Sequence, residues 1–317
     1  MKIIYITAFI IFICYLCILI YLGEGIPSKD NIDYNCDIQN QYSPYLFPGV
    51  ILNFKNFLAN QTLFYPSGLI EKLPIFYGDE NSKKYFLYIH AFNSDSYEAK
   101  KLLFNLSSIY KDSFVCGINL PGAATIAKES SFTNINVHTH LRFFYILFST
   151  IKDKDIYLIG SSTGCSYSIW INSKLKKIIN LNIKCLIMFS PNIEPKGLSS
   201  FLTKLSINPF GLKIIKLLKY NYLLEETYSD VNMFSYLVGI LEINRKDKEK
   251  YKSKVPLLTF YTSKDKIIDY KSIIDYVNKY EGYKILIEVD DDYHNMITRD
   301  YLLPFFIKNI KDFLKKI

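Results

Sequence analysis

Cysteine and histidine are scarce in this sequence, which holds 6 Cys and 4 His. Cys14 and Cys17 lie in an apolar N-terminal run, and the rest of the chain contains no C-x-x-C pair. Zinc modules and disulfide frameworks are built from clustered cysteines, so neither is indicated, although a single disulfide stays open. His138 and His140 form an H-x-H pair without a third ligand motif, and we therefore predict no metal site and no cofactor.

Internal repeats and nucleic-acid-binding motifs are also absent, although the net charge is +8. A basic surface attracts anionic lipid headgroups or nucleic acid, but solvated helix faces account for most of these scattered lysines. Hydrophobic residues make up 50% of the chain and charged residues 21%, which excludes an intrinsically disordered protein. A chain of 317 residues can therefore form one large α/β domain or two ordinary ones, and we expect no nucleic-acid partner.

The N-terminal residues 3–22 carry no charge. As a helix they are long enough to cross a hydrocarbon core about 30 Å thick. We predict that residues 1–23 form an uncleaved transmembrane anchor, that 24–45 form a linker, and that the remaining chain faces away from the cytoplasm. The alternative is secretion after cleavage of a signal peptide, but no A-x-A-like cleavage site follows the apolar run.

Beyond residue 48 the pattern of apolar residues first predicts antiparallel edge strands over 48–77 and then alternating strands and helices. The predicted strands cover 85–89, 114–120, 156–159, 183–190, 257–261 and 283–289. The predicted helices cover 97–110, with Leu102, Leu103, Leu106 and Ile109 on its apolar face, 137–151, 267–280 and a terminal segment from 296, with a longer helical stretch over 198–250. Strands separated by helices indicate a mostly parallel central sheet with helices on both faces.

The most informative stretch is the G-S-S-T-G sequence over 160–164, between a predicted strand and a helix. A strand, a tight turn and a helix in this order place the middle serine at the tip of the turn. A Cβ at either flanking glycine would collide with the strand or helix as the backbone doubles back. Ser162 is therefore the candidate nucleophile. Ser161 fits less well, because Ile159 would then occupy the first glycine position.

Polar residues that could assist Ser162 follow three other predicted strands. The loop after 85–89 contains Phe92, whose N–H could pair with that of Thr163 as an oxyanion hole. Asp265 follows the strand 257–261 and is the candidate acid, with Glu194 as a weaker alternative. His294 follows the last strand and is the candidate base.

Serine, acid and base thus occur in the order Ser, Asp, His, each just past the carboxyl end of a different strand, where ligand sites of open parallel sheets lie. With the H-A-F loop at His90, S-K-D-K at Asp265 and D-Y-H-N at His294, the chain from about residue 85 onward resembles the α/β-hydrolase superfamily, in particular its serine esterases and monoacylglycerol-lipase-like members. Ala91 stands where these relatives usually have glycine. The resemblance implies an α/β-hydrolase domain over 46–317 with a helical cap inserted at about 194–254.

The sequence as a whole predicts a membrane-anchored serine hydrolase that cleaves carboxylic esters through an acyl-enzyme. The expected partners are a small-molecule or lipid ester, with an acylglycerol as one candidate, and the membrane. Amide, peptide or thioester hydrolysis and acyl transfer would use the same residues. A non-catalytic membrane-bound binding protein on the same fold is the alternative from another class.

Overall fold

A computed structural model describes residues 74–92, 94–120, 137–196 and 232–317. The predicted anchor and linker lie outside these residues, as do most of the predicted edge strands over 48–77. Among the residues that are described, no helix combines the length and apolar character needed to cross a membrane.

The described chain is built around a seven-stranded sheet whose strands are ordered β1-β3-β2-β4-β5-β6-β7. Six strands run parallel, and only the edge strand β1 is antiparallel to its neighbour β3. The strands are β1 (Ile75–Tyr77), β2 (Lys84–Ile89), β3 (Ser113–Ile118), β4 (Asp155–Ser161), β5 (Asn182–Phe189), β6 (Leu257–Tyr261) and β7 (Lys284–Glu288). This confirms the mostly parallel central sheet, and β1 is the described end of the predicted antiparallel edge.

Helices cover both faces of the sheet. The helices are α1 (Lys100–Ile109), α2 (Val137–Ser149), α3 (Thr163–Trp170), α4 (Lys176–Ile179), α5 (Asn232–Lys246), α6 (Tyr270–Lys279) and α7 (Leu303–Leu314), and a π-helical turn (Ile171–Leu175) joins α3 to α4. Side chains of β2 alternate between the two faces: Leu87 belongs to the apolar cluster that includes residues of α2, α3, α5 and α6, whereas Phe86 and Tyr88 belong to the cluster that includes residues of α1 and α7. Central strands buried on both faces explain the near-continuous apolar runs in the sequence.

Three predicted features differ from the structure. The helix expected over 267–280 begins only at Tyr270, because the side chain of Asp269 caps it by accepting the Lys271 N–H at 3.1 Å. The terminal helix begins at Leu303 after two short 3-10 turns, with Pro304 in its first turn, where a proline costs no hydrogen bond. Ile109, expected on the buried face of α1, lies at its C-terminal end and is 37% exposed.

The described part of the predicted cap includes α5, which packs on the main core. Leu237 and Ile240 join the same apolar cluster as α2 and α3, and Asn244 Nδ2 donates to the carbonyl oxygen of Ser166 at 2.7 Å. The residues 197–231 lie outside the described part of the chain, so the domain boundaries and the cap remain predictions.

Candidate active site

Ser162 stands between the end of β4 and the start of α3, with φ 48° and ψ −112°. A positive φ is costly for any residue with a Cβ and persists only where the surroundings impose it. Here the Ser162 N–H donates to the carbonyl oxygen of Phe189 at 2.9 Å, and its own carbonyl oxygen accepts the N–H groups of Cys165 at 3.0 Å and Asn192 at 3.1 Å. The backbone of the serine is thus held on both sides in a strained, fixed conformation.

The two flanking glycines make this turn sterically feasible. A Cβ built on Gly160 would lie 2.7 Å from the backbone nitrogen of Cys165. On Gly164 it would lie 2.0 Å from the carbonyl oxygen of Ile89. Both contacts are with backbone atoms, so no side-chain movement would relieve them, and the second shows how closely the turn approaches the end of β2.

The side chain of Ser162 reaches His294, which lies in the loop after β7. Ser162 Oγ is 2.8 Å from His294 Nε2, and His294 Nδ1 is 2.7 Å from Asp265 Oδ2. Since the carboxylate can only accept, Nδ1 carries the proton and leaves Nε2 to accept the serine O–H. The structure therefore brings Ser162, His294 and Asp265, the three predicted site residues, into one hydrogen-bonded chain.

Asp265 is 1% exposed and lies just beyond β6. Its Oδ1 accepts the backbone N–H groups of Ile267 at 2.7 Å and Ile268 at 3.0 Å, while Oδ2 faces His294. Burial by itself raises the pKa of Asp265, but the hydrogen bond and charge of His294 together with the two N–H groups outweigh burial and lower the pKa. Glu194, the alternative acid, instead supplies a backbone carbonyl to the N–H of Asp269.

The backbone of His294 is held independently of its ring. Its carbonyl oxygen accepts the Ser190 hydroxyl at 2.7 Å, and Ser190 itself has a positive φ of 44° directly after β5. Thr262, just after β6, donates its hydroxyl to the carbonyl oxygen of Asp291 in the same loop. Hydroxyls at the ends of two neighbouring strands therefore anchor the loop that carries the histidine.

The two predicted oxyanion donors follow the ends of two neighbouring strands, β4 and β2. Thr163 is the first residue of α3, and the first N–H groups of a helix have no intrahelical partner and carry its positive dipole end. Phe92 lies just past β2 and is partly buried against the apolar core. The turn at Ser162 and the loop after β2 thus each contribute one candidate.

His90 orients the loop that carries Phe92. It is 1% exposed, and its Nε2 accepts the Leu120 N–H at 3.0 Å, so the proton sits on Nδ1, which donates to the carbonyl oxygen of Ala91 at 2.6 Å. Burial lowers the pKa of His90, which favours this neutral ring. In a trans peptide the C=O and the following N–H point in opposite directions. The bond to the Ala91 oxygen therefore turns the Phe92 N–H away from His90.

Ser161, the alternative nucleophile, is the last residue of β4 and is 1% exposed. Its Oγ lies 3.5 Å from Asn295 Oδ1, and it also hydrogen-bonds the Tyr88 hydroxyl. His294 Nε2 is instead hydrogen-bonded to Ser162.

Sequence reasoning missed Glu98 and Asn295, which connect the two loops beside Ser162. Asn295 Nδ2 donates to Glu98 Oε2 at 2.8 Å. Glu98 lies at the start of the predicted helix 97–110, where a glutamate reads as an ordinary residue of a first helical turn. For Asn295, the feature that could have indicated a role is its position directly after the candidate base His294.

The H-x-H pair lies in α2. The His140 side chain is fully buried and its Nδ1 lies 2.6 Å from the Tyr167 hydroxyl. Among the residues that are described, no group of three potential metal ligands occurs.

No family model and no curated protein matches the chain. Several solved structures are similar to it. One is reported for LipS and LipT, two metagenome-derived lipolytic enzymes: TM-score 0.60, 13% identity, 78% of this chain and 100% of the other covered. A monoacylglycerol lipase from Paleococcus ferrophilus has a TM-score of 0.57 at 14% identity, covering 76% of this chain and 97% of its own.

A soluble variant of monoglyceride lipase from Saccharomyces cerevisiae, in complex with a substrate analog, has a TM-score of 0.56 at 13% identity, covering 77% of this chain and 91% of its own. Identities this low speak for a shared fold alone. The similarity to these structures and the mostly parallel seven-stranded sheet together show that this chain has an α/β-hydrolase fold.

Proposed function

We propose that this protein is a serine hydrolase that cleaves carboxylic esters through an acyl-enzyme. The observation that carries the proposal is the continuous hydrogen-bonded chain from Ser162 Oγ through His294 to Asp265. A serine hydroxyl is a weak nucleophile until an adjacent base accepts its proton, and this geometry supplies that base, held by a third group.

In the proposed reaction His294 Nε2 takes the hydroxyl proton as Ser162 Oγ attacks the ester carbonyl carbon. The resulting oxyanion accepts hydrogen bonds from the backbone N–H groups of Phe92 and Thr163. The imidazolium, stabilised by Asp265, then returns its proton to the leaving alkoxide as the C–O bond breaks. Water, deprotonated by His294, attacks the acyl-enzyme by the same steps and releases the acid.

A lipid or acylglycerol is the proposed substrate class. Two of the similar structures are monoacylglycerol or monoglyceride lipases and a third is described as lipolytic, which supports this choice. The uncharged run over residues 3–22 supports the proposal that the enzyme is anchored in a membrane, close to such substrates, with its hydrolase domain outside the cytoplasm. Sedimentation with membranes, lost on deletion of residues 1–23, would test the anchor.

The decisive test compares Ser162→Ala with Ser161→Ala. Removing the nucleophile should lower hydrolysis of short nitrophenyl esters by about four orders of magnitude or more. It should also abolish labelling by a fluorophosphonate. Ser161→Ala deletes a neighbouring hydroxyl that is also buried and should keep both the labelling and most of the activity. Wild-type rates from the Ser162→Ala protein would refute the proposal.

A substrate panel then tests the bond and chain length. We expect monoacylglycerols and medium-chain esters to be cleaved faster than matched amides and acetate esters. Equal or faster cleavage of amides would replace the esterase proposal by an amidase, and failure of the wild-type protein to label or hydrolyse would favour a binding protein on this fold.

A further inference from the structure

The loop after β2 and the loop after β7 are joined by a single carboxylate, that of Glu98. Its Oε1 accepts the Ala91 N–H at 2.7 Å and the Tyr88 hydroxyl. Its Oε2 accepts the Ser94 hydroxyl at 2.6 Å and the Asn295 side-chain N–H at 2.8 Å. Four donors therefore converge on one side chain, three from β2 and the loop after it and one from the loop after β7.

Two of these donors are direct neighbours in the chain of residues with proposed catalytic roles. Ala91 directly precedes Phe92, the proposed oxyanion donor, and Asn295 directly follows His294, the proposed base. An ionised carboxylate only accepts hydrogen bonds, and bonds to a charged acceptor are about twice as strong as neutral ones. Glu98 thus accepts hydrogen bonds from Ala91, next to the proposed oxyanion donor, and from Asn295, next to the proposed base.

Glu98 itself sits on a well-anchored support. It belongs to a short 3-10 helix (Ser96–Ala99) whose N-cap Asp95 accepts the Tyr97 N–H at 2.8 Å. The Ser96 N–H donates to Asn119 Oδ1 at 2.8 Å, which ties the helix to the end of β3. Because this short helix is bound to the end of β3, Glu98 holds both loops in a fixed position relative to the sheet.

We propose that Glu98 is a positioning residue that fixes the position of the proposed oxyanion donor, Phe92, relative to the proposed base, His294. The inference rests on the proposed function and deepens it. Glu98 acts through Ala91 and Asn295, since none of its four donors is a member of the Ser162, His294 and Asp265 chain. Misplacement of groups that act in concert by about 1 Å lowers rates severely, so a device that fixes their spacing has a catalytic consequence.

The test is Glu98→Gln in the full chain, with kcat expressed per active site titrated by a fluorophosphonate. The amide keeps one acceptor oxygen but presents an NH₂ group to donors that need an acceptor. We expect kcat to fall roughly tenfold to a hundredfold with KM changed by less than about threefold, because the lost interaction matters mainly in the transition state. Affinity for an alkyl boronic acid, which forms a tetrahedral adduct on the serine, should fall in parallel.

Asn295→Ala provides a second, milder variant that removes one donor. If the carboxylate and the amide act as one unit, the double variant should lose little more activity than Glu98→Gln alone. The matched control is Asp247→Asn. Asp247 is a buried carboxylate that likewise accepts a backbone N–H, from Glu249 at 3.0 Å, but pairs with Lys174 at 3.1 Å instead of the loops. It should lower the thermal midpoint and leave kcat per titrated site unchanged.

An unchanged kcat and boronate affinity in Glu98→Gln, or effects that simply multiply with those of Asn295→Ala, would overturn the inference. Such a result would leave the proposed function standing, provided that the wild-type protein is labelled and hydrolyses esters. A wild-type protein that does neither would refute the proposed function, and the inference with it.

Discussion

The turn at Ser162 and the loop over residues 90–92 lie side by side, yet they are shaped by different means. The turn is fixed by backbone contacts: Gly164 comes so close to the Ile89 carbonyl that a Cβ would lie 2.0 Å from its oxygen. The loop is fixed by side chains, since His90 binds the Ala91 carbonyl oxygen and Glu98 binds the Ala91 N–H. Steric contacts therefore fix the position of the proposed nucleophile, and hydrogen bonds fix the position of the proposed oxyanion donor.

This difference explains why glycine is needed in one place and dispensable in the other. The α/β-hydrolases that the sequence motifs resemble usually have glycine where this chain has Ala91. Ala91 is buried with both of its peptide groups held by neighbouring side chains, so a methyl group is accommodated there. No comparable accommodation exists at residue 164, where the opposing atoms belong to the backbone of β2.

Among the substitutions that test this difference, Gly164→Ala in the turn should have the largest effect. The added methyl group must push α3 away from β2, which we expect to lower the free energy of unfolding by about 1–3 kcal/mol. The same shift displaces Ser162 from His294 and should lower ester hydrolysis roughly a hundredfold or more. Denaturant unfolding and kcat per titrated site measure the two effects. A fully active Gly164→Ala protein would show that the turn is less constrained than its contacts indicate.

In the loop, His90→Ala should have a smaller effect. Without the imidazole the Ala91–Phe92 peptide can rotate, and loss of one oxyanion donor costs on the order of a hundredfold in kcat. We expect a decrease of about tenfold to a hundredfold because Glu98 still holds the Ala91 N–H. His140→Ala is the matched control, since it removes an equally buried histidine that binds Tyr167 instead. If both variants lower kcat equally, His90 has no specific role in the loop.

The same contrast determines what the sequence could predict. The turn can be predicted from the sequence because its steric requirement is local. It involves only five residues, two glycines and a serine at fixed spacing, between a strand and a helix. The parallel sheet follows for a similar reason, since apolar runs and helical periodicity are local. His294 and Asp265 are predicted from their positions after strands and from the resemblance, although His294 contacts Ser162 from 132 residues away and Asp265 reaches the site through His294.

Glu98 and Asn295 could not be found in this way. Their bond links residues 197 positions apart. Nothing in the local sequence of either distinguishes it from a solvent-facing helix residue or a turn residue. The start of α6 was predicted three residues too early because Asp265 and Asp269 each accept a backbone N–H two residues further on, as a helix cap does, and the helix begins after the second of them.

Acid stability should depend on Asp265. Its pKa in the folded protein lies below its ordinary value, so it stabilises the fold above the unfolded-state pKa of about 3.9, and this contribution disappears as the pH falls through the lower folded value. We expect the difference in free energy of unfolding between wild type and Asp265→Asn to be larger at pH 7 than near pH 3. Urea titrations across this range would measure it. A difference that does not change with pH would contradict the assigned shift.

The smallest expected effect measures the strain at Ser162. Ser162→Gly and Ser162→Ala both lack the hydroxyl, so they differ only in the Cβ that opposes a φ of 48°. We expect the glycine variant to be more stable by about 1 kcal/mol, since strain of this kind costs on the order of 1–3 kcal/mol and glycine returns part of it as unfolded-state entropy. In the helical interior of α3, Ser168→Gly should instead be less stable than Ser168→Ala by about 1 kcal/mol. Denaturant unfolding of the four variants therefore tests whether the stability difference between glycine and alanine has opposite signs at the two positions. If glycine is the less stable residue at both, Ser162 is held without the strain that its backbone angles imply.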